Sequence, residues 1–396
     1  MICKVTKKKI KPFMSFGKMP IANGFIEETN FSNEYFYNME VGFSEELSLF
    51  QLNDHPKPEA MFNDSYPFFS GSSEYMKNHF KKYADFIKKT FLKSNSKIVE
   101  IGSNDGTLLK NFLNDSNNII GFEPSKNVAQ KAMNENIPTL NKFFNLENTK
   151  LLKDFLNSTD VICASNVICH IPNLDDLIKS VDLLLSKDGT FIFEEPYLGA
   201  MFEKTSYDQI YDEHIFVFSV SAISKIFKLY DFQLVDVQPQ ITHGGSMRYI
   251  IKRKNNGTPS LNLMKYLEKE KTNKIDSEES SLIFKKDCEN SKLKITERVK
   301  KLKFENKKIC GYAATSKSTT ILNYCDIGPD VIDFICDTTT EKIGKFSPGK
   351  HIPIVDMSHF YKNQPDSIYL FAWNHKDEIF KKENKFKGEW FSHVAL

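Results

Sequence analysis

The chain has 396 residues, 40% of them hydrophobic and 26% charged, a composition typical of a soluble globular protein. Its 53 basic and 51 acidic residues give a formal net charge of +2, which argues against a strong overall attraction to nucleic acid or to an anionic membrane. The length predicts two or three domains, each large enough to bury its own core.

The sequence predicts neither a targeting signal nor a disulfide framework. No apolar run approaches the roughly 18 residues that span a bilayer. The basic residues near the start of the chain are not followed by an apolar stretch, so we expect no signal peptide. The 7 cysteines include no C-x-x-C pair and favour reduced, buried thiols in a cytoplasmic protein.

The first two segments differ in character. Residues 1–72 are rich in Phe, Pro and turn residues with little periodicity, which predicts a small irregular N-terminal domain. Residues 73–256 alternate strand and helix patterns. The predicted strands are 98–101, 119–123, 160–164 and 189–193, and the predicted helices begin after Gly106 and cover 128–133 and 174–185. This order predicts an α/β domain with a central parallel sheet and helices on both faces.

The composition changes again further along the chain. Residues 257–305 are charge-rich with Ile295, Val299 and Leu302 at helical spacing, which predicts a helical connector with one buried stripe. Strand patterns return at 309–312, 331–336 and 367–372. Residues 306–396 are therefore expected to form a second, smaller α/β domain of Rossmann-like architecture.

A glycine-bearing loop follows the first predicted strand. Glycines allow the backbone to approach a ligand closely, and Gly102 and Gly106 lie where strand gives way to helix. The loop lacks the full dinucleotide and P-loop patterns, and its acids Glu100 and Asp105 suit a cationic ligand. Glu123 closes the next strand, where a carboxylate can bind both hydroxyls of a ribose. The pattern resembles that of class I S-adenosylmethionine-dependent methyltransferases.

A second group of ionisable residues follows later strands. Asn166 and His170 come after one strand, and Tyr211, Glu213 and His214 follow the next, so both sets lie where open α/β sheets bind ligands. A phenol, a carboxylate and an imidazole this close in sequence are able to act as base, orienting group and hydrogen-bond donor.

Several short motifs resemble those of the nucleotide-sugar C-methyltransferases, which methylate C3 of 4-keto-deoxy sugars. The motifs occur in collinear order over nearly the whole chain, at residues 66–71, 193–199, 205–214, 243–246, 311–317, 347–353 and 372–375. The resemblance implies an N-terminal module that covers the substrate, a central domain that binds S-adenosylmethionine, and a C-terminal domain that helps to bind the nucleotide.

The resemblance, the glycine-bearing loop and the strand-end positions together give expected roles for individual residues. The expected catalytic residues are His214, Tyr211, Glu213 and His170. The expected cofactor-binding residues are Glu100, Gly102, Asn104, Asp105, Glu123 and Asn166. The expected substrate-binding residues are Tyr66, Asn166, Tyr197, His243, Lys317 and Asn374.

Carbon methylation requires a base and a stabilised enolate. We expect His214 to remove the C3 proton, because imidazole has an unperturbed pKa of about 6.5 against about 10 for a phenol. Tyr211 is the alternative acceptor or a proton shuttle. Glu213 is expected to orient a histidine or bind sugar hydroxyls, and His170 to donate to the C4 oxygen.

The chain departs from the family at its N-terminal module, which usually binds zinc through two C-x-x-C pairs. Here the corresponding positions are Cys3, Thr6, Ser44 and Leu47. One thiol does not make a closed tetrahedral site, so we predict no structural zinc. Ala313 stands where the family more often has glycine.

Two other functions are compatible with the sequence. The first is O- or N-methylation of a sugar or small metabolite, and the second is a binding protein that kept the fold without catalysis. We expect a nucleotide sugar as the partner, with neither nucleic acid nor membrane. The sequence leaves the oligomeric state open and is compatible with a monomer.

Overall fold

The computed structural model describes residues 1–64, 66–113 and 115–396. The N-terminal region contains an antiparallel sheet, although its sequence predicts an irregular module. Its elements are β1 (Pro12–Pro20), β2 (Phe36–Ser44), β3 (Leu49–Leu52), α1 (Pro58–Met61) and α2 (Glu74–Phe91). The register of β1 against β2 shifts near Pro12 and near Gly17. These shifts interrupt the alternation of buried and exposed side chains that would reveal a strand in the sequence.

The central region forms a seven-stranded sheet in the order β10-β11-β8-β7-β4-β5-β6. Its strands, with the short β9, are β4 (Lys97–Ile101), β5 (Asn118–Phe122), β6 (Thr139–Leu140), β7 (Thr159–Ser165), β8 (Leu185–Pro196), β9 (Phe216–Val217), β10 (Phe232–Gln240) and β11 (Ser246–Arg253). Its helices are α3 (Lys126–Asn134), α4 (Leu146–Thr149), α5 (Leu174–Leu184), α6 (Leu198–Lys204) and α7 (Val220–Lys228). β4 to β8 within this sheet are parallel, and β11 and β10 complete it in antiparallel fashion.

The α-helix that the sequence predicts after Gly106 does not form, and this prediction is wrong. The segment forms turns and a short 3-10 helix, Leu109–Phe112, in place of an α-helix. Leu108, Leu109 and Phe112 are nevertheless buried, so the apolar spacing indicated burial correctly and the helix type wrongly.

The remaining elements form the connector and the C-terminal domain. The connector comprises α8 (Leu261–Thr272) and α9 (Glu278–Phe304), and Ile295, Val299 and Leu302 are its buried stripe. The parallel sheet β14-β13-β12-β15-β16 follows. Its elements are β12 (Ile309–Tyr312), α10 (Ser316–Tyr324), β13 (Phe334–Cys336), β14 (Ile354–Val355), α11 (Met357–Lys362), β15 (Ser367–Leu370), α12 (Lys376–Lys382) and β16 (Glu389–Phe391). The strand expected over 331–336 is shorter because Val331 is in a turn bonded to Gly328.

The N-terminal sheet takes its fourth strand from the central region. β9 pairs with β3 through Phe50 opposite Val217 and Gln51 opposite Phe216. Side chains of the N-terminal sheet also pack in one apolar cluster with α9 and the C-terminal sheet. In the part of the chain that the structure describes, no helix is long and apolar enough to cross a membrane.

Candidate active site

Gly102 allows the loop after β4 to fold tightly against its neighbour. Its φ is +64°, and a Cβ atom at this position would collide with the side chain of Val167. Glu100, on β4 just before it, is buried and its Oε2 atom has no hydrogen-bond partner. Burial, followed by the nearby Asp105 and Glu123 carboxyls, raises the pKa of Glu100 well above its ordinary value. The Oε2 atom of Glu100 is therefore a buried hydrogen-bond acceptor, and it lies next to the point where the Gly102 backbone packs closely against Val167.

Glu123 lies at the end of β5, and two backbone N–H groups fix its carboxyl group. Oε2 accepts from the N–H of Asn104 at 3.0 Å, and Oε1 accepts from the N–H of Ser125 at 2.8 Å. Burial raises the pKa of Glu123, although these hydrogen bonds oppose the rise. A carboxylate has roughly four acceptor positions, so Glu123 retains capacity for ligand hydroxyls.

The side chains of Asn104 and Asp105 contact the segment 66–73, which crosses over the loop. Asn104 Oδ1 accepts from the N–H of Ser70 at 2.8 Å. Asp105 Oδ2 accepts from the N–H of Gly71 at 3.0 Å and pairs with Lys131 at 3.0 Å. Both residues therefore fix the segment 66–73, here called the strap, to the loop after β4. Their own contact with a cofactor remains a prediction.

The loop after β7 is fixed by Glu195, which the sequence interpretation did not assign to the site. Glu195 is fully buried, and its Oε1 accepts from the N–H groups of Val167 at 3.0 Å and Ile168 at 2.6 Å. Burial raises its pKa to about 7. In the same loop, Asn166 has a φ of +56° and a buried, unpartnered Oδ1 atom. The position of Glu195 at the end of β8 was the sequence signal that would have identified it as a candidate site residue.

Tyr211 and His214 form a hydrogen-bonded pair. His214 Nδ1 lies 2.6 Å from the carbonyl oxygen of Gln209, which only accepts, so Nδ1 carries the hydrogen. Nε2 then accepts from the Tyr211 hydroxyl at 2.8 Å. Burial lowers the pKa of His214 to about 3, which keeps the imidazole neutral. Gln209 is a further residue that the sequence did not single out.

His170 lies beside this pair. Its ring stacks with that of His214 at a centroid distance of 5.4 Å, and its Nε2 atom is buried without a hydrogen-bond partner. Burial, followed by the proximity of His214, lowers the pKa of His170 well below its ordinary value. A neutral imidazole with a free ring nitrogen is able to donate a hydrogen bond to a ligand oxygen.

Glu213 faces the N-terminal module. Its Oε2 accepts from the Tyr66 hydroxyl at 3.1 Å, and its Oε1 accepts from the side-chain amide of Asn23 at 2.7 Å. Burial raises its pKa, and the two hydrogen bonds oppose the rise. Asp212 is also fully buried, and burial followed by Glu213 raises its pKa.

The C-terminal domain closes the other side of the site. Lys317 is 7% exposed, and its Nζ atom donates to Asn374 Oδ1 at 3.1 Å and lies 5.2 Å from the centre of the Trp373 ring. Burial lowers the pKa of Lys317, and the Asp208 carboxylate partly offsets this. Trp373 in turn donates to Asp208 at 2.6 Å.

His243 lies in a tight turn beside these groups. Its φ is +53°, and its carbonyl oxygen accepts from the side chain of Gln209. Burial and the charge of Lys317 lower the pKa of His243. The next residue, Gly244, lies so close to Trp373 that a Cβ atom would collide with its ring. The structure thus brings His243, Lys317 and Asn374 into one region.

Tyr197 is not brought together with the other predicted residues. Its ring lies against α8, 6.1 Å from that of Tyr266, in an apolar cluster. Burial and the nearby Glu270 carboxyl raise its pKa. Its predicted contact with substrate has no support in this placement.

The loop after β7 and the loop between α6 and β9 together place one group of side chains at metal-like spacing. Within the described ranges, the only His, Cys and carboxylate group of this kind is Cys169, His170 and His214, whose ligand atoms lie within 4.8 Å of one another. Both ring nitrogens of His214 are already in hydrogen bonds, so this group does not fit a resident ion.

The N-terminal module does not fit zinc either. Cys3 is buried and its sulfur accepts a hydrogen bond from the N–H of Thr6 at 3.5 Å. Leu47 is also buried, in the same apolar cluster as Cys3. Four thiolate or imidazole ligands are typical of a closed zinc site, and the four equivalent positions offer one.

Three protein-family models match the chain in succession. A model described as "Putative zinc binding domain" matches residues 2–62, a "Methyltransferase domain" matches residues 75–237, and a "C-methyltransferase C-terminal domain" matches residues 241–394. The chain is 27% identical over 378 residues to the C-methyltransferase NovU of Streptomyces niveus, covering 94% of this chain and 89% of the relative.

Solved structures resemble a little under half of the chain. The YcgJ protein of Bacillus subtilis is 14% identical, with a TM-score of 0.36 over 45% of this chain and 100% of that chain. The PH0226 protein of Pyrococcus horikoshii OT3 is also 14% identical, with a TM-score of 0.39 over 47% of this chain and 95% of that chain.

Residues at the carboxyl ends of β4, β5 and β7 fit S-adenosylmethionine. Glu100 and Asn166 each present a buried acceptor without a partner, and Glu123 has acceptor capacity left for hydroxyl groups. The Gly102 backbone permits close approach at the same edge of the sheet. These are the properties that a cationic, ribose-bearing cofactor requires.

Proposed function

Since this chain belongs to the S-adenosylmethionine-dependent C-methyltransferases, we propose that it methylates C3 of a nucleotide-linked 4-keto-6-deoxy sugar through an enolate. The observation that carries the proposal is the Tyr211–His214 pair, whose hydrogen bonds fix the neutral tautomer of the ring and favour proton transfer from the tyrosine to the histidine. Carbon methylation beside a ketone requires such a base, and it requires a donor for the enolate oxygen.

The cofactor supplies an electrophilic methyl group on a positively charged sulfur. The protein's task is to generate a carbon nucleophile next to it and to hold that carbon in line. A positioned base contributes typically ~10²–10⁴-fold to such a reaction. Orientation of the two reactants contributes roughly 7–11 kcal/mol in the best intramolecular cases.

Tyr211 is proposed to receive the C3 proton. As its oxygen accepts that proton, its own proton moves along the 2.8 Å hydrogen bond to Nε2 of His214. His214 then carries hydrogens on both ring nitrogens, and Nδ1 keeps its bond to Gln209. The buried imidazolium is stabilised by the enolate charge formed in the same step. This geometry supports the shuttle role for Tyr211 over direct proton removal by His214.

His170 is proposed to stabilise the enolate. Its unpartnered Nε2 atom lies beside His214, so a C4 oxygen placed near the Tyr211–His214 pair is within its reach. The lowered pKa keeps the ring neutral, which allows a hydrogen bond without introducing a charge that the buried site must solvate.

The remaining predicted residues are assigned to substrate binding. Tyr66 and Glu213 are proposed to bind sugar hydroxyls, because the Tyr66 hydroxyl on the strap meets the Glu213 carboxyl group on the loop between α6 and β9 (residues 205–215), here called the catalytic loop. Lys317, His243 and Asn374 are proposed to bind the diphosphate. A buried ammonium group among neutral imidazoles suits an anion, since few carboxylates compete with it there.

The decisive experiment uses dTDP-, GDP- and CDP-linked 4-keto-6-deoxy sugars with S-adenosylmethionine, and products are identified by mass and NMR. We expect a methyl group at C3, and we expect exchange of the C3 hydrogen in D₂O that Tyr211→Phe abolishes. Tyr35→Phe is the matched control, because Tyr35 is 53% exposed. Methylation that does not depend on the keto group would indicate an O-methyltransferase and contradict the proposal.

A further inference from the structure

The loop that follows β1 in the N-terminal module is hydrogen-bonded to the catalytic loop. Ala22 donates its N–H to Asp212 Oδ1 at 3.1 Å, and its carbonyl oxygen accepts from the Thr319 hydroxyl of α10 at 2.9 Å. Ala22 is 2% exposed. The backbone at this point is therefore held on two sides, and the next residue, Asn23, is placed with little freedom.

Asn23 and Tyr66 each bond one oxygen of the same carboxyl group. The Asn23 amide donates to Glu213 Oε1 at 2.7 Å, and the Tyr66 hydroxyl donates to Oε2 at 3.1 Å. Glu213 is 3% exposed. Two donors from separate segments of the N-terminal module thus determine the orientation of a carboxyl group on the catalytic loop.

We propose that Asn23 is a positioning residue of the methyl-transfer site, whose amide fixes the Glu213 carboxyl group so that its other oxygen faces Tyr66. The proposal rests on the proposed function and adds a residue of the N-terminal module to its machinery. It gives this module a role in catalysis that does not depend on metal.

The charged surroundings of Glu213 give the proposal a measurable signature. The titratable groups that face it are Asp212 and Tyr211 on its own loop, Tyr66 on the strap and Cys169 on the loop after β7. Hydrogen bonds to a carboxylate stabilise its ionised form, so the Asn23 amide lowers the pKa of Glu213.

The experiment compares Asn23→Leu and Asn23→Asp in the full chain. Side-chain carboxyl groups of glutamate are labelled with ¹³C and titrated by NMR, and Glu213→Gln identifies the resonance. We expect Asn23→Leu to raise the pKa of Glu213 because the donor is lost. Asn23→Asp is expected to raise it further, because a second negative charge faces the first. Asn30→Leu and Asn30→Asp are the matched controls, since Asn30 is exposed in the same module.

Turnover is measured on the 4-keto-6-deoxy nucleotide sugar that the wild type methylates. We expect kcat to fall by up to about a hundredfold in both Asn23 variants, with the KM for S-adenosylmethionine unchanged. The acidic limb of the pH profile is expected to move to higher pH in step with the NMR titration.

Two results would overturn the assignment of Asn23. One is a Glu213 resonance that titrates as in the wild type in both variants. The other is a shifted resonance with wild-type kcat. A wild type that methylates no sugar in the panel instead overturns the proposed function, and the titration then still reports separately whether Asn23 orients Glu213.

Discussion

The Tyr211 hydroxyl lies 2.8 Å from Nε2 of His214, while Nδ1 of the same ring lies 2.6 Å from the carbonyl oxygen of Gln209. The carbonyl only accepts, so the ring has a single neutral tautomer and the tyrosine is the donor. The pair is poised to move a proton from the tyrosine to the histidine. This direction supports the proposal that Tyr211 receives the substrate proton and that His214 takes up the proton of the tyrosine.

Replacing Tyr211 with Phe is expected to lower kcat by about 10²–10⁴-fold, because the oxygen that accepts the substrate proton is lost. Binding of S-adenosylmethionine, measured by calorimetry, is expected to remain, since the Tyr211 hydroxyl bonds His214 and not the Glu100 or Glu123 carboxyl group. If Tyr211→Phe kept wild-type turnover while His214→Asn lost it, the histidine would be the direct base and the relay would be wrong.

Replacing Glu195 with Gln is expected to change how stability depends on pH. The native pKa of Glu195 is about 7, against an ordinary value of 4.5. The native state therefore binds the proton more tightly, and this contribution to the free energy of unfolding is lost as pH rises from about 4.5 through about 7. The shift corresponds to roughly 3 kcal/mol at most.

Urea unfolding of the wild type and Glu195→Gln across pH 4–8 tests this expectation. Glu195→Gln should have the flatter dependence, because its amide oxygen still accepts from Val167 and Ile168 and does not ionise. Other buried carboxyls contribute equally to both proteins and cancel in the difference. Glu203→Gln is the control, since the Glu203 side chain is 70% exposed. Parallel curves for wild type and Glu195→Gln would refute the assignment.

Replacing Glu123 with Ala is expected to weaken S-adenosylmethionine binding by at least roughly tenfold to a hundredfold, because the loss of even one charge-assisted hydrogen bond costs about 1.5–3 kcal/mol. Calorimetry measures the affinity directly. Glu147→Ala removes a carboxylate from the same domain, away from the β4 and β5 strand ends, and should leave the affinity unchanged. Equal affinities for Glu123→Ala and the wild type would place the ribose elsewhere.

Replacing Gly102 with Ala is expected to destabilise the protein by about 2–5 kcal/mol, from left-handed backbone strain and overpacking together. Gly17→Ala isolates the first contribution, because Gly17 has a φ of +78° and a Cβ atom there would meet nothing within 4 Å. That control should lose only about 1–2 kcal/mol. Equal losses in denaturant unfolding would show that the approach to Val167 is not tight.

The N-terminal module is expected to fold without zinc. Elemental analysis of the purified protein should find no stoichiometric metal, and a chelator should leave the free energy of unfolding unchanged. The reason is that Cys3 is the one thiol among the four family ligand positions, and it is buried with Leu47 in an apolar cluster. One zinc ion per chain would contradict this prediction and require ligands outside those positions.

The central and C-terminal sheets were predictable because their strands are short apolar runs separated by helices, as at 98–101 and 160–164. Residues at the carboxyl ends of those strands were therefore placed correctly relative to one another. The N-terminal sheet was not predictable, because irregularities in register near Pro12 and Gly17 bury consecutive residues such as Phe13 and Met14 and so hide the alternation of β1.

Contacts between distant segments were the other limit. Asn23 and Glu213 are 190 positions apart, and no local pattern marks the amide as a partner of the carboxyl group. Tyr197 shows the converse limit, because its motif predicts a substrate contact while its ring lies against Tyr266 of α8. Long-range packing decides both cases, and a single sequence carries no periodic signal for it.

The pairing of β3 with β9 bears on how this enzyme can be recombined with its relatives. A chimera that exchanged residues 1–72 alone would join Phe50 and Gln51 of one parent to a strand inherited from another. A working chimera therefore has to take the segment 207–217, which contains Tyr211 and His214, from the same parent as the N-terminal module. Breakpoints chosen at the apparent domain boundary would separate an edge strand from the sheet it completes.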